Sequence, residues 1–133
     1  MKMTTKTEYA LLALTYLARN DRHENIPTKR IAIEQSIPIK FLEQIMLSLK
    51  RAGFITSVKG QNGGSKLAKA PKDITLADVV RLFDGALAPT ECVSERFYRQ
   101  TPIGREEKLV NVFKEIRNFI AYSLENKTLA DVI

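Results

Sequence analysis

The chain has 133 residues, 44% hydrophobic and 27% charged, the balance of a folded chain with one core; a disordered tail, a membrane span and two full domains are excluded. One Cys and one His leave no internal disulfide, no Cys-dense secreted framework and no conventional zinc site within one chain. Lys and Arg number 21 against 15 Asp and Glu, a net +6, and the excess is one-sided. Residues 1–70 hold 12 cations and 5 acids (+7), whereas residues 71–133 hold 9 cations and 10 acids (−1). A basic first half predicts a polyanion as its partner. A membrane surface would draw the same charges onto one basic amphipathic helix, which the sequence lacks.

Lys6 to Arg19 carries Tyr9, Leu12, Ala13, Tyr16 and Leu17 at helical spacing and predicts a helix with a broad apolar face. Its apolar stretch, Tyr9 to Ala18, matches a signal-peptide core in length. Glu8 stands before it, however, and Tyr16 and Arg19 occupy the region of a cleavage site, so we read a core helix of a cytoplasmic protein. Asn20 to Ile26 ends this helix. Pro27 opens a short helix with Ile31 and Ala32 inward, Ser36-Ile37 breaks the chain, and Pro38 starts a longer helix to Ala52. In that helix Phe41, Leu42, Ile45, Leu49 and Ala52 form the buried stripe, and Gly53 stops it.

Phe54 to Val58 reads as a strand, Gly60, Gly63 and Gly64 as a turn, and Lys66 to Ala68 as the returning strand. In ITLADVVRLFDG, Thr75 caps a helix with Asp78 at the third position, Ile74 staples onto Val79, and Gly85 closes it. Ala86 to Gly104, with Pro89, Cys92 and Pro102, has no clean period and reads as a connector. Arg105 to Asn126 is a long helix, and Thr128 with Asp131 caps a short terminal one. The predicted fold is therefore mainly α with a small β-hairpin wing, a winged helix-turn-helix followed by a long C-terminal dimerisation helix. Residues 1–85 form the DNA-binding domain, 86–104 a connector or sensor loop, and 105–133 the dimerisation helix and tail.

Three short helices and a Gly-rich hairpin suit DNA. A major groove about 12 Å wide admits one helix that buries one face and offers polar groups on the other. Lys40, Glu43 and Gln44 lie on the free face of the Pro38–Ala52 helix. Gln pairs with adenine edges, Glu accepts from cytosine, and Lys reaches guanine or phosphate. Lys59, Gln61 and Asn62 belong to the hairpin tip, where glycines let backbones approach closely, and Thr28 and Lys29 are expected phosphate contacts. A nucleotide phosphate loop is excluded, because Gly64-Ser65-Lys66 runs into a strand and not a helix. In the long helix, Leu109, Val112, Phe113, Ile116, Phe119, Ile120 and Leu124 form a stripe wider than one short helix covers. The first helix is expected on one flank of the stripe and a second copy of the chain on the other, giving a homodimer.

KTEYALLALTYLA, FLEQIMLSLKRAGFITSVKG, GGSKLAKAP and ITLADVVRLFDG together resemble the winged-helix regulators typified by IscR, NsrR and CymR, the Rrf2 family. The resemblance covers nearly the whole chain; Ser65 stands where the family often has an aromatic. It implies a homodimeric regulator, usually a repressor, on a pseudo-palindromic operator. Its cluster-binding members place three Cys in the connector, about six residues apart, with a further ligand just beyond. Here only Cys92 matches; Tyr98 and Gly104 take the second and third places, and Glu107 stands near the fourth. An iron–sulfur cluster wants about four strong ligands, mostly thiolates, so no cofactor and no metal is expected.

Cys92 stays a candidate redox sensor, with Arg96 and Arg99 nearby but Glu91 and Glu95 too; a small semi-buried thiol without a role is the plainer reading. His23, between Arg22 and Glu24, has no supporting catalytic motif, and no enzyme is expected. The expected function is a DNA-binding regulator, with a protein or small-molecule effector as a further candidate partner. A winged-helix adaptor that docks a partner enzyme is the rival, and it has no need of +7 on the first 70 residues.

Overall fold

Helix α1 (Thr5–Arg19) begins at Thr4, whose hydroxyl accepts from the Thr7 N–H at 3.3 Å and donates to the Asp84 carboxylate at 2.7 Å. A carboxylate at a helix start complements the free N–H groups there, so this contact also ties the chain's beginning to residue 84. The structure, a computed structural model, describes residues 1–20 and 24–133. Ala10, Ala13, Leu14 and Leu17 of α1 are buried, whereas Leu12, expected on the apolar face, is exposed.

Helix α2 (Thr28–Glu34) follows Pro27, and Ser36 at φ +54 turns the chain into α3 (Ile39–Arg51). Leu42, Ile45 and Leu49 of α3 meet Leu14, Leu17 and Ile31 in the main core. Tyr9 and Phe41 fix the start of α3 against α1 edge to face, with ring centroids 5.5 Å apart. Gly53, at φ +84, ends the helix as a residue without a Cβ can.

Strands β1 (Ile55–Val58) and β2 (Gly64–Leu67) pair antiparallel, with Ile55 opposite Leu67 and Val58 opposite Gly64. The returning strand thus starts at Gly64, two residues earlier than expected, while Ala68 still donates to the Phe54 carbonyl at 2.9 Å. A further pairing joins the hairpin to the segment before α2: Ile26 and Ser65 exchange two backbone hydrogen bonds of 2.8 Å each. Both residues are buried, and the Ser65 hydroxyl meets that of Ser57 at 2.9 Å.

Helix α4 (Leu76–Asp84) is capped as expected, the Thr75 hydroxyl accepting from the Asp78 N–H at 3.0 Å, and Gly85 closes it at φ +79. The connector makes two short 3-10 turns, Glu91–Val93 and Pro102–Arg105, before α5 (Glu107–Glu125). The tail then returns to the core. Thr128 and Asp131 form a capping box, and its hydrogen bonds to Thr128 hold the Asp131 carboxyl below the usual carboxylate range. Leu129 donates to the Ile74 carbonyl at 3.0 Å and is buried among Ile74, Val79 and Leu14.

Helix α5 does not take α1 as its intramolecular flank. Ile120 and Leu124 pack instead on Ala77 and Val80 of α4 and on Leu87 of the connector. Ile120, expected at a dimer interface, is thereby turned toward α4. No residue of α5 is buried, and Leu109, Val112, Ile116, Phe119 and Tyr122 are exposed, Phe119 by 74%. Phe113 is half-buried. No helix among the described residues is long and apolar enough to cross a membrane.

Candidate nucleic-acid interface

The exposed face of α3 follows from its period: with Leu42, Ile45 and Leu49 inward, Lys40, Glu43, Gln44, Leu47 and Lys50 fall outside. The hairpin stands beside this face, and a groove of about 390 Å³ runs between them. Thr28, Glu43 and Lys59 from the expected set line it, together with Met46, Leu47, Lys50 and Val58. A second cleft, of about 420 Å³, lies on the other side of the hairpin tip and is lined by Gln61 and Asn62 with Glu24, Asn25, Pro27 and Gly63. The two share Pro27 and Gly63, so one hairpin edge separates them. Lys29, Lys40 and Gln44 are exposed but line neither cleft.

Lys50 and Leu47 were missed by sequence reasoning. Lys50 lies seven residues beyond Glu43, two turns along the same face, and that spacing was the signal that could have found it. Arg30 and Arg51 add exposed cations at the ends of α2 and α3. Among the described residues every ion pair lies elsewhere: Arg81–Glu125, Arg99–Glu91 and Arg117–Glu95 all belong to α4, the connector and α5. Lys29, Lys40, Lys50 and Lys59 make no ion pair with a carboxylate of the described residues, although Glu43 lines the same groove as Lys50 and Lys59, and exposed cations of this kind suit phosphate contacts.

Two glycines hold the hairpin in this place. A Cβ on Gly64, at φ +145, would overlap the Ile26 carbonyl and come within 2.6 Å of Pro27 N. One on Gly63 would overlap the Val58 carbonyl and lie 2.9 Å from Gly60 O. Gly64 is thus a steric requirement of the wing's seat on Ile26-Pro27, and Gly63 one of the hairpin's own tight turn.

Of the positions that the resemblance assigns to cluster ligands, the connector keeps one thiol, Cys92. Cys92 is half-buried, 3.7 Å from the Thr90 hydroxyl, and its position 104 counterpart does come close: a Cβ on Gly104 would lie 3.7 Å from the Cys92 Cβ. Glycine brings no donor there, and Tyr98 is exposed. Among the described residues no three His, Cys, Asp or Glu side chains gather to hold a metal. Of the positions that the resemblance implies, 92 and 104 lie side by side. His23 lies outside the described residues.

A profile of the Rrf2 family, described as iron-dependent transcriptional regulators, matches residues 3–133. A Rhodobacter capsulatus protein named as an rrf2-like HTH-type transcriptional regulator is 34% identical over 137 residues, 98% of this chain and 91% of that one. The solved structure of CymR, named as the global cysteine regulator of B. subtilis, matches with a TM-score of 0.80 at 29% identity, covering 99% of this chain and 95% of that one. T. potens IscR matches with a TM-score of 0.75 at 28% identity over 99% and 85%. The helices, the wing and the tail thus share one winged-helix plan with solved regulators along almost their entire length, and the chain belongs to the Rrf2 family of transcriptional regulators.

Proposed function

We propose that the chain is a cytoplasmic homodimeric repressor that binds a pseudo-palindromic operator, with residues 1–85 on the DNA and α5 between the two copies. The groove between α3 and the hairpin, rimmed by lysines that make no ion pair among the described residues, is the observation that carries this reading. Helix α3 enters the major groove. Lys40, Glu43 and Gln44 meet base edges; Thr28, Lys29 and Lys59 meet phosphates; and Gln61 and Asn62 reach along the backbone or into the minor groove. Lys50 extends the phosphate set. The exposed stripe on α5 seats the second copy, and two-fold pairing sets the two α3 helices on successive half-sites.

The decisive experiment is operator binding measured across salt concentrations. Each neutralised phosphate contributes a log–log slope of about −0.9, so Lys59→Ala weakens all sequences alike and makes the slope shallower by about one. Glu43→Ala changes sequence preference instead, by about 1–3 kcal/mol at one base pair. Unchanged affinity and slope in Lys59→Ala would remove the hairpin from the interface, and salt-insensitive binding or none would favour a protein-docking adaptor.

The same regulator works without a cluster. Cys92 is the only thiol of its chain, and two across a dimer still fall short of a cluster's usual complement. Protein purified without oxygen is expected to be colourless and to bind its operator after treatment with chelator. A brown preparation with stoichiometric iron and sulfide, lost in Cys92→Ser, is the contrary outcome.

A further inference from the structure

We propose that the junction of α4, α5 and the connector is a binding site for a small metabolite bearing a carboxylate or phosphate group. Arg81, Arg96 and Arg117 line one cavity there together with a single carboxylate, Glu95, and Ser94, Phe97 and Leu87 complete much of its wall. The charges are not arranged as in an ordinary surface network. The Arg81 and Arg117 side chains are only 14% and 17% exposed, whereas their carboxylate partners Glu125 and Glu95 are 44% and 68% exposed. Arg81 and Arg117 sit inside, Arg96 is exposed at the mouth, and the Glu95 and Glu125 carboxylates face water that screens them, so the lining carries three cations against one screened anion and is positive.

The hydrogen-bond inventory agrees. Arg117 is held in place by the Val93 carbonyl at 2.9 Å and by the Asn118 side chain at 2.7 and 3.0 Å, with Glu95 farther off at 3.7 Å. Arg81 spends one terminal nitrogen on Glu125, and its other N–H groups have no protein partner among the described residues. Arg96 has no carboxylate partner among them either. A guanidinium offers five N–H donors in a fixed fork that matches a carboxylate or phosphate edge.

Size limits what enters. The partly open cavity, about 20 Å³, has room for about one water-sized group, the leading oxygen of an anion and not a whole ligand. Arg81 and Arg96 also border an open cleft of about 380 Å³ that includes Lys69, Asp78, Leu82 and Phe54. The anionic head therefore lies between the arginines while the rest of the molecule rests on Leu82 and Phe54. Lys69, stacked 5.3 Å from the Phe54 ring centroid, adds a fourth cation at the outer end.

The site has a mechanical consequence. Arg81–Glu125 joins α4 to α5, and Arg117 joins α5 to the connector. An anion that draws Arg81 from Glu125 loosens the seat of α5 on α4. This coupling to DNA rests on the dimeric regulator proposed above; the binding itself does not.

The test uses the full chain and inorganic phosphate, titrated calorimetrically against chloride at matched ionic strength and without DNA. Phosphate is expected to bind the unmodified protein, about tenfold more weakly in Arg96→Gln and in Arg117→Gln, and unchanged in Lys72→Ala, an exposed lysine outside both sites. Arg96 is exposed, so its variant keeps the fold. No phosphate binding beyond chloride, or equal binding in Arg96→Gln, overturns the site; loss in Lys59→Ala alone puts the anion on the hairpin groove and overturns it too. A parallel operator titration with and without phosphate then reads the coupling: a shift in the unmodified protein that Arg96→Gln lacks supports it, and equal shifts in both overturn it.

Discussion

Ile116→Asp and Phe119→Asp are each expected to leave a folded monomer that no longer holds its operator tightly. Both side chains are exposed in the single chain, Phe119 by 74%, so a carboxylate there costs the monomer little. In a two-fold pair the same side chain is counted twice. Burying one Phe is worth about 1.5–3 kcal/mol, so each substitution removes about 3–6 kcal/mol from the pair and adds repulsion between two carboxylates. The dimer is then expected to dissociate at least about a hundredfold more readily. Light scattering or sedimentation reads this directly, with the melting temperature as the control for folding. Phe113 and Ile120 are poorer probes: the first is half-buried and the second packs on Ala77 and Val80, so an Asp at either position injures the monomer as well. An unmodified protein that is monomeric at micromolar concentration yet binds its operator tightly would end the dimer reading.

The stripe that makes this test possible shows how far a sequence pattern reaches. Spacing correctly marked α5 as apolar along one side, but the expectation that α1 covers one flank fails, because α4 and Leu87 cover it. Ile120 and Leu124 lie on the same period as Ile116 and Phe119, and only the placement of α4 separates them. Leu12 fails for the same reason: it fits the period of α1, and the tertiary arrangement leaves it in solvent.

Local chemistry was far more legible. Thr75 with Asp78, and Thr128 with Asp131, act across three residues, and both caps form as their spacing predicts. The contacts that could not be read join distant segments: Thr4 with Asp84, Leu129 with Ile74, and Ile26 with Ser65. Each links a pair whose partners carry no mark of one another in sequence. In the candidate interface, the face of α3 was legible through its period, including Lys40, Glu43 and Gln44. The groove was not, because it exists only where the hairpin is seated against Ile26-Pro27. The arginine cavity is of this second kind as well, assembled from residues 81, 96 and 117 on three separate elements.

Gly64→Ala is expected to unseat the wing and abolish tight operator binding while the helical core survives. Two costs combine at this position. Its φ of +145 belongs to backbone space that only glycine uses freely, which costs another residue about 1–3 kcal/mol. The added Cβ also runs into the backbone of Ile26 and Pro27, which cannot yield as a flexible side chain would. The relief available is to part the two strands, giving up the paired hydrogen bonds between Ile26 and Ser65 at about 1 kcal/mol each. The summed penalty is about 3–5 kcal/mol, concentrated on the hairpin's seat. Gly60→Ala provides the contrast, since Gly60 has φ +111 but nothing within 4 Å of the added carbon. It carries strain alone, about 1–2 kcal/mol, and its groove stays intact. Hydrogen exchange at the Ile26 and Ser65 amides separates the two variants: both amides lose protection in Gly64→Ala and keep it in Gly60→Ala. Operator affinity is expected to follow the amides, because Lys59, Gln61 and Asn62 reach DNA only from a seated hairpin. If Gly64→Ala keeps both amides protected, the steric account of Gly64 is wrong; if the amides lose protection and the operator is bound as before, the wing's place in the interface is wrong.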